Sequence, residues 1–170
     1  NRGISNAAEA QAFLRCSVKD FIDPYSFADM PRAVGRIKQA LRDKEKAMIF
    51  GDYDADGITS LALLKGVLCG MGLDTSHYLP HRIKDGYGLS KNILQIAKEK
   101  GAKLVITVDC GTSNQREIKE LKKHNIDVIV TDHHEPASVD LPEAVAIINP
   151  KLKNSSYKFK DLAGVGVAYK

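Results

Sequence analysis

Ala47-Met48-Ile49-Phe50-Gly51-Asp52-Tyr53-Asp54-Ala55-Asp56-Gly57 runs from four apolar residues into three alternate carboxylates. The apolar run is short, as a strand buried on both faces is, and Gly57 to Met71 then reads as a helix stopped by Gly72. The same grammar recurs twice. Leu104-Val105-Ile106-Thr107-Val108 leads into Asp109-Cys110-Gly111-Thr112 and a helix over Ser113 to His124. Asp127-Val128-Ile129-Val130 leads into Thr131-Asp132-His133-His134. Between and after these lie a weak strand at Thr75 to Leu79, a helix over Ser90 to Lys100, and a strand at Ala144 to Ile148 closed by Asn149-Pro150. Ser90 is the candidate N-cap of its helix and Gly101 its stop. Apolar strands alternating with amphipathic helices predict an α/β fold, a parallel β-sheet with helices on both faces. A short helical arm precedes it: a helix at 8–15, a loop marked by Asp23-Pro24 and Met30-Pro31, and a helix from Asp29 to Asp43. The expected division is a lead-in over 1–45 and the sheet domain over 46–170.

All three strong strands deliver carboxylates at their carboxyl ends, and one also delivers two imidazoles. In an open parallel sheet those ends share one edge, where ligands bind. Asp52, Asp54 and Asp56 are i, i+2 and i+4, so an extended chain projects all three to one side. Gathered carboxylates repel one another, and a bound cation removes that penalty. An oxygen-rich set with one or two histidines and no cysteine fits Mn²⁺ best, admits Mg²⁺ or Fe²⁺, and fits zinc less well. The number of carboxylates suits two cations about 3.5–4 Å apart, with Asp109 placed by chain position to bridge them, and such pairs serve phosphoester hydrolysis. The spacing is not that of an EF-hand.

Two helix starts favour anions: the one after Gly57, with Thr59 and Ser60, and the one after Gly111, with Thr112, Ser113 and Asn114. Arg82 and Lys84, in a loop with Tyr87, are candidates to neutralise phosphate. Lys151 to Lys160 carries four lysines, no acid, and Tyr157 and Phe159, a composition that suits single-stranded nucleic acid, although a solvated loop is its commoner meaning. His77 and His124 are given no role, and Cys110 is read as small and buried.

Composition sets the bounds. A chain of 170 residues, 44% apolar and 27% charged, suits one domain with a real core. The net charge of +4 permits a polyanionic partner without requiring one. Three cysteines without a CxxC pair argue against a disulfide framework or a cysteine zinc site. No apolar run approaches a membrane helix and no signal peptide opens the chain, so the expectation is cytoplasmic with no membrane association. The start at Asn1 and the stop at Lys170, inside an apolar pattern, suggest a piece of a longer protein.

These motifs resemble the DHH phosphoesterase family: Asp52-Tyr53-Asp54-Ala55-Asp56-Gly57 its first motif, Val108-Asp109-Cys110-Gly111 its second, and Asp132-His133-His134 its eponymous triplet. Phe50 to Ser60, Gly86-Tyr87-Gly88-Leu89 and Leu162 to Ala168 look most like the RecJ branch, bacterial exonucleases that act 5′→3′ on single-stranded DNA. The resemblance implies Mn²⁺ or Mg²⁺ as cofactor, two ions in the intact protein. It implies Asp54, Asp56, Asp109 and His133 as metal ligands, Asp52 as a ligand or close supporter, and His134 and Arg82 as phosphate contacts. It also implies that a fourth motif and a second, substrate-holding domain (DHHA1) lie beyond this chain, which alone would bind metal weakly and hydrolyse little. Expected partners are single-stranded DNA and, beyond it, a helicase or single-strand-binding protein; the oligomeric state is open. Two alternatives stand beside this reading: a phosphodiesterase for short oligonucleotides or cyclic dinucleotides, and a non-catalytic scaffold. Phe50, where the pyrophosphatases of the family have a histidine, counts against that activity.

Overall fold

In the computed structural model, which describes residues 3–15, 17–81, 88–90, 92–138 and 140–170, five strands form one wholly parallel sheet. They are β1 (Ala47–Gly51), β2 (Thr75–Tyr78), β3 (Leu104–Val108), β4 (Asp127–Thr131) and β5 (Ala146–Ile148), in the spatial order β2-β1-β3-β4-β5. Every residue of β1 and β3 is buried, because these central strands are covered on both faces. Alternate residues serve opposite layers. Ala47, Ile49, Leu104 and Ile106 face α2 (Met30–Arg42), α3 (Ala55–Gly70) and α6 (Gly164–Tyr169). Met48, Phe50 and Val105 face α4 (Ile93–Glu99) and α5 (Gln115–Lys123). A further helix, α1 (Ala7–Leu14), buries no residue.

The expected strands and helices are present, with shifted ends. The helix assigned to Ser90–Lys100 begins at Ile93 with Asn92 at its N-cap; Ser90 instead holds a turn, its hydroxyl accepting from Asn92 N at 3.2 Å. The helix assigned from Ser113 begins at Gln115, since the Ser113 hydroxyl accepts from Ala137 N at 3.0 Å and stays in the loop. The strand assigned from Ala144 forms only at Ala146, after a turn in which Ala144 N donates to the Pro142 carbonyl. Cys110 is buried, as expected.

Helix α2 lies on the sheet near β5. Asp29 Oδ2 accepts from Ile147 N at 3.0 Å and so satisfies a donor on the edge strand. Arg36, buried on the same helix, meets Glu45 Oε2 at 2.7 Å and Asp127 Oδ2 at 2.5 Å, tying α2 to the start of β4. Removing one member of a buried ion group strands the others. Both carboxylates here keep some solvent, so Arg36→Ala should lower stability by about 2–3 kcal/mol, read from the urea unfolding midpoint. An unchanged midpoint would mean that the pair is solvent-screened.

The lysine-rich segment is not a nucleic-acid platform at Tyr157. That ring is buried and stacks on Phe27 at 4.1 Å between centroids and 8° between planes, so it belongs to the core. Phe159 remains half exposed.

Candidate metal centre

The strand order reverses between β1 and β3, and in open parallel sheets the crevice outside such a reversal is where ligands sit. Gly51 of β1 pairs with Val108 of β3, which pairs with Thr131 of β4. The register therefore ends three strands level, and Asp52, Asp109 and Asp132 follow at once, all buried.

Asp109 is the pivot. It has φ +61°, a left-handed conformation that aspartate tolerates better than most residues. Oxygens of Asp52, Asp54 and Asp109 all lie within 4.8 Å of one another, and so do an Asp109 oxygen and one nitrogen each of His133 and His134. Asp109 is thus common to both groups found among the described residues. Burial first, then the charges of Asp56 and Asp54, pushes its carboxyl up to about 8. Burial likewise raises Asp52.

The first motif does not stay extended as the spacing suggested. Asp54 is the N-cap of α3, its Oδ1 accepting from Asp56 N at 2.9 Å and Gly57 N at 3.0 Å, so the chain turns helical at Ala55. Asp56 then points across to α6, where Oδ2 accepts from Gly164 N at 2.6 Å and Oδ1 from Val165 N at 2.8 Å. It belongs to neither 4.8 Å group, although its Oδ2 is 3.6 Å from His133 Nε2.

Do these residues fit a divalent cation? Two observations say that they do. Asp109 Oδ1 is buried with no hydrogen-bond partner among the described residues. His133 Nε2 stands 3.0 Å from it, but His133 Nδ1 is 2.9 Å from the Leu162 carbonyl, which can only accept. In the neutral ring Nδ1 therefore carries the proton, and a lone pair on Nε2 faces a carboxylate oxygen. Once Asp109 ionises, two acceptors aim at one another in a buried site, which a shared cation satisfies, and a carbonyl behind the ring is the usual orienting partner of a ligating histidine.

Of the other site residues read from the sequence, Arg82 lies outside the described residues, as do Lys84 and Tyr87. The Ser113 and Asn114 side chains serve the chain itself. Asn114 Oδ1 accepts from Leu89 N at 3.4 Å, and its Nδ2 donates to Glu117 Oε2 at 3.2 Å. The sequence reading passed over the Leu162 carbonyl, which holds His133, and noted Gly164-Val165-Gly166 only as a bare glycine pair, where the Gly164 N–H holds Asp56. Nothing local linked that pattern to Asp56.

Known proteins resemble this chain in both sequence and fold. The model of the DHH family, N-terminal domain, matches residues 46–170. The single-stranded-DNA-specific exonuclease RecJ of Bacillus subtilis (strain 168) is 45% identical over 99% of this chain, which spans 21% of that protein. An exonuclease RecJ solved bound to manganese superposes with a TM-score of 0.78 at 33% identity, covering 88% of this chain and 37% of the other. RecJ from Thermus thermophilus, solved in complex with Mn²⁺, gives 0.68 at 30% identity, covering 84% of this chain and 20% of the other. The chain thus spans only a minor part of the proteins it matches. The family match takes in all five strands and the Asp-His-His triplet at the end of β4, and on that ground the chain belongs to the DHH family.

Proposed function

We propose that this chain is the metal-binding part of the catalytic core of a RecJ-like exonuclease, which hydrolyses phosphodiester bonds of single-stranded DNA from the 5′ end. The observation that carries the reading is Asp109, shared by two ligand groups at the β1/β3 crevice, in a chain 45% identical to a RecJ. Asp52, Asp54 and Asp109 would hold one Mn²⁺ or Mg²⁺, and Asp109 and His133, with Asp56 near them, would hold a second. Two such ions, when bound, supply Lewis acidity at the phosphoryl oxygens and make water acidic enough to act as a nucleophile near neutral pH. The chain's own residues do the rest. The Leu162 carbonyl keeps the His133 proton on Nδ1, and α6 keeps Asp56 turned toward the centre. The Asp132 carboxylate beside His134 raises that ring's pKa above the usual histidine value, so His134 offers a positive charge to the scissile phosphate over more of the neutral range. Arg82 adds a second cation to the phosphate.

In this reading residues 1–45 are a lead-in, 46–170 are the first part of the DHH domain, and a fourth motif and a substrate-holding domain follow in the intact protein. A role in DNA repair and recombination, a cytoplasmic setting, and a helicase or single-strand-binding partner belong to the same proposal. Among the described residues no helix is long and apolar enough to cross a membrane.

The test uses the intact protein that contains this chain, in Mn²⁺, beside an Asp109→Ala control. Its substrates are 5′- and 3′-labelled single-stranded DNA, duplex DNA and a dinucleotide. Short products released from the 5′ end of long single strands, and lost in the control, are the expected result. Cleavage confined to the dinucleotide would transfer the protein to the small-substrate phosphodiesterases, and activity unchanged in the control would remove Asp109 from the reaction.

A further inference from the structure

Behind His134 lies a closed set of buried polar groups drawn from three strand ends: Thr112 after β3, Asp132 after β4 and Asn149 after β5. Asn149 is fully used. Its Nδ2 donates to Thr112 Oγ1 and to the His134 carbonyl, each at 2.9 Å, and its Oδ1 accepts from Lys151 N at 2.9 Å. Two acceptors on the nitrogen and one donor on the oxygen leave the amide a single orientation. The Thr112 hydroxyl is thereby held as an acceptor by Asn149, which fixes the residue whose backbone N–H faces Asp132. Thr112 N donates to Asp132 Oδ2 at 3.0 Å. The other oxygen, Oδ1, accepts from His133 N at 2.7 Å and His134 N at 3.1 Å, and lies 2.8 Å from His134 Nδ1.

This arrangement decides where the His134 proton sits. Asp132 Oδ1 already receives the backbone N–H groups of His133 and His134, and its Oδ2 receives that of Thr112, the surroundings of a carboxylate that accepts on both oxygens. A carboxylate only accepts, so His134 Nδ1, 2.8 Å away, is the donor, and in the neutral ring Nε2 carries the lone pair.

We propose that Asp132, itself held by Thr112 and Asn149, is a positioning residue that fixes His134 as the Nδ1–H tautomer, so that Nε2 is the atom that takes up the second proton when the ring beside Asp109 and His133 becomes charged. The proposal deepens the reading of that centre and rests on it for its purpose, but not for its test. Asp132 has both oxygens engaged by its own chain and lies in neither 4.8 Å group, which sets it apart from the aspartates that offer oxygens to a cation. Its work is done through His134, and outer partners of this kind typically change metal affinity about 10–100-fold.

The experiment uses the metal-free 170-residue chain, labelled with ¹⁵N at its five histidines, at about pH 9, where imidazoles are neutral. Long-range ¹H–¹⁵N correlations report the tautomer of each ring, and His134→Gln assigns the signal. The expected result is Nδ1–H at His134, reversed to Nε2–H in Asp132→Asn, whose amide donates to Nδ1 instead. Unchanged His77 and His124 signals establish that the variant is folded. Thr112→Val should broaden or split the His134 signal, and Thr112→Ser should restore it. This pair keeps the test decisive if Asp132→Asn does not fold. Nε2–H in the unsubstituted chain, or Nδ1–H persisting in Asp132→Asn, overturns the proposal. A sharp, unshifted signal in Thr112→Val removes Thr112 and Asn149 from it. Neither metal nor DNA enters these measurements, so they stand or fall separately from the exonuclease reading. With Mn²⁺ added, Asp132→Asn should weaken binding about 10-fold or more.

Discussion

Asp109→Asn is expected to stabilise the metal-free chain while removing most of its affinity for divalent cations. Asp109 is buried, faces the lone pair of His133 Nε2, and lies among the carboxylates of Asp54 and Asp56. An asparagine there carries no charge and can donate its amide proton to Nε2. It also adopts the +61° φ of this position readily. The pH dependence follows from the same group. Its carboxyl is raised from 3.8 to about 8, so between those values the folded chain holds a proton that the unfolded chain has lost. The stability it contributes is therefore present at acid pH and drains away as pH rises through about 8, on the order of 5 kcal/mol in total. Urea unfolding in chelator at about pH 5 and about pH 8 should show wild type losing most of this and Asp109→Asn losing little. Titration calorimetry with Mn²⁺ should show at least about 100-fold weaker binding in the variant, beyond what outer partners of a metal site cause. In wild type near pH 7, binding should release about one proton. A pH-independent wild type, or a variant that binds as well, would show that Asp109 is not the buried shared ligand.

Gly57→Ala should be the most damaging methyl group added at any of the described glycines, because it alone meets backbone below 3.0 Å. A Cβ at Gly57 would stand 2.4 Å from the Asp52 carbonyl oxygen, 2.6 Å from its nitrogen and 2.7 Å from its carbonyl carbon. These are backbone atoms at the end of a central strand, and they cannot turn aside as a side chain can. The β1–α3 turn must open, with a loss of about 3 kcal/mol or more. Gly164→Ala makes a useful contrast. Its Cβ would stand 2.4 Å from Asp109 Oδ1, a side-chain atom. The expectation there is a folded chain with α6 displaced and Mn²⁺ binding lost. Unfolding midpoints measured beside Mn²⁺ isotherms separate the two, and equal stability of Gly57→Ala and wild type would refute the backbone argument.

Much of this was legible locally. Three apolar runs ending in acid gave β1, β3 and β4 and their shared edge, because a strand buried on both faces must be apolar throughout. What stayed hidden depended on partners far along the chain. Asp56 looks from its spacing like a third member of an extended row, but the Asp54 cap starts a helix first, and α6 then takes both Asp56 oxygens. Tyr157 sits in a lysine-rich stretch that reads as solvated, and its stacking on Phe27 bridges residues that no local pattern relates. Asp132 was visible as the first letter of a triplet, but the backbone N–H groups that occupy its oxygens belong to the folded loops alone.

The Asp56 cap also bears on how the domain is made. Its partners Gly164 and Val165 lie 108 and 109 residues further on. At roughly 5–20 residues per second, they leave the ribosome on the order of ten seconds after Asp56 does. For that interval β1 and α3 can exist, but the wall that orients Asp56 and backs Asp109 does not. The centre is thus completed only after α6 has emerged, well after β1 and α3 can form. Full assembly of the centre therefore waits on a contact made across more than a hundred residues of chain.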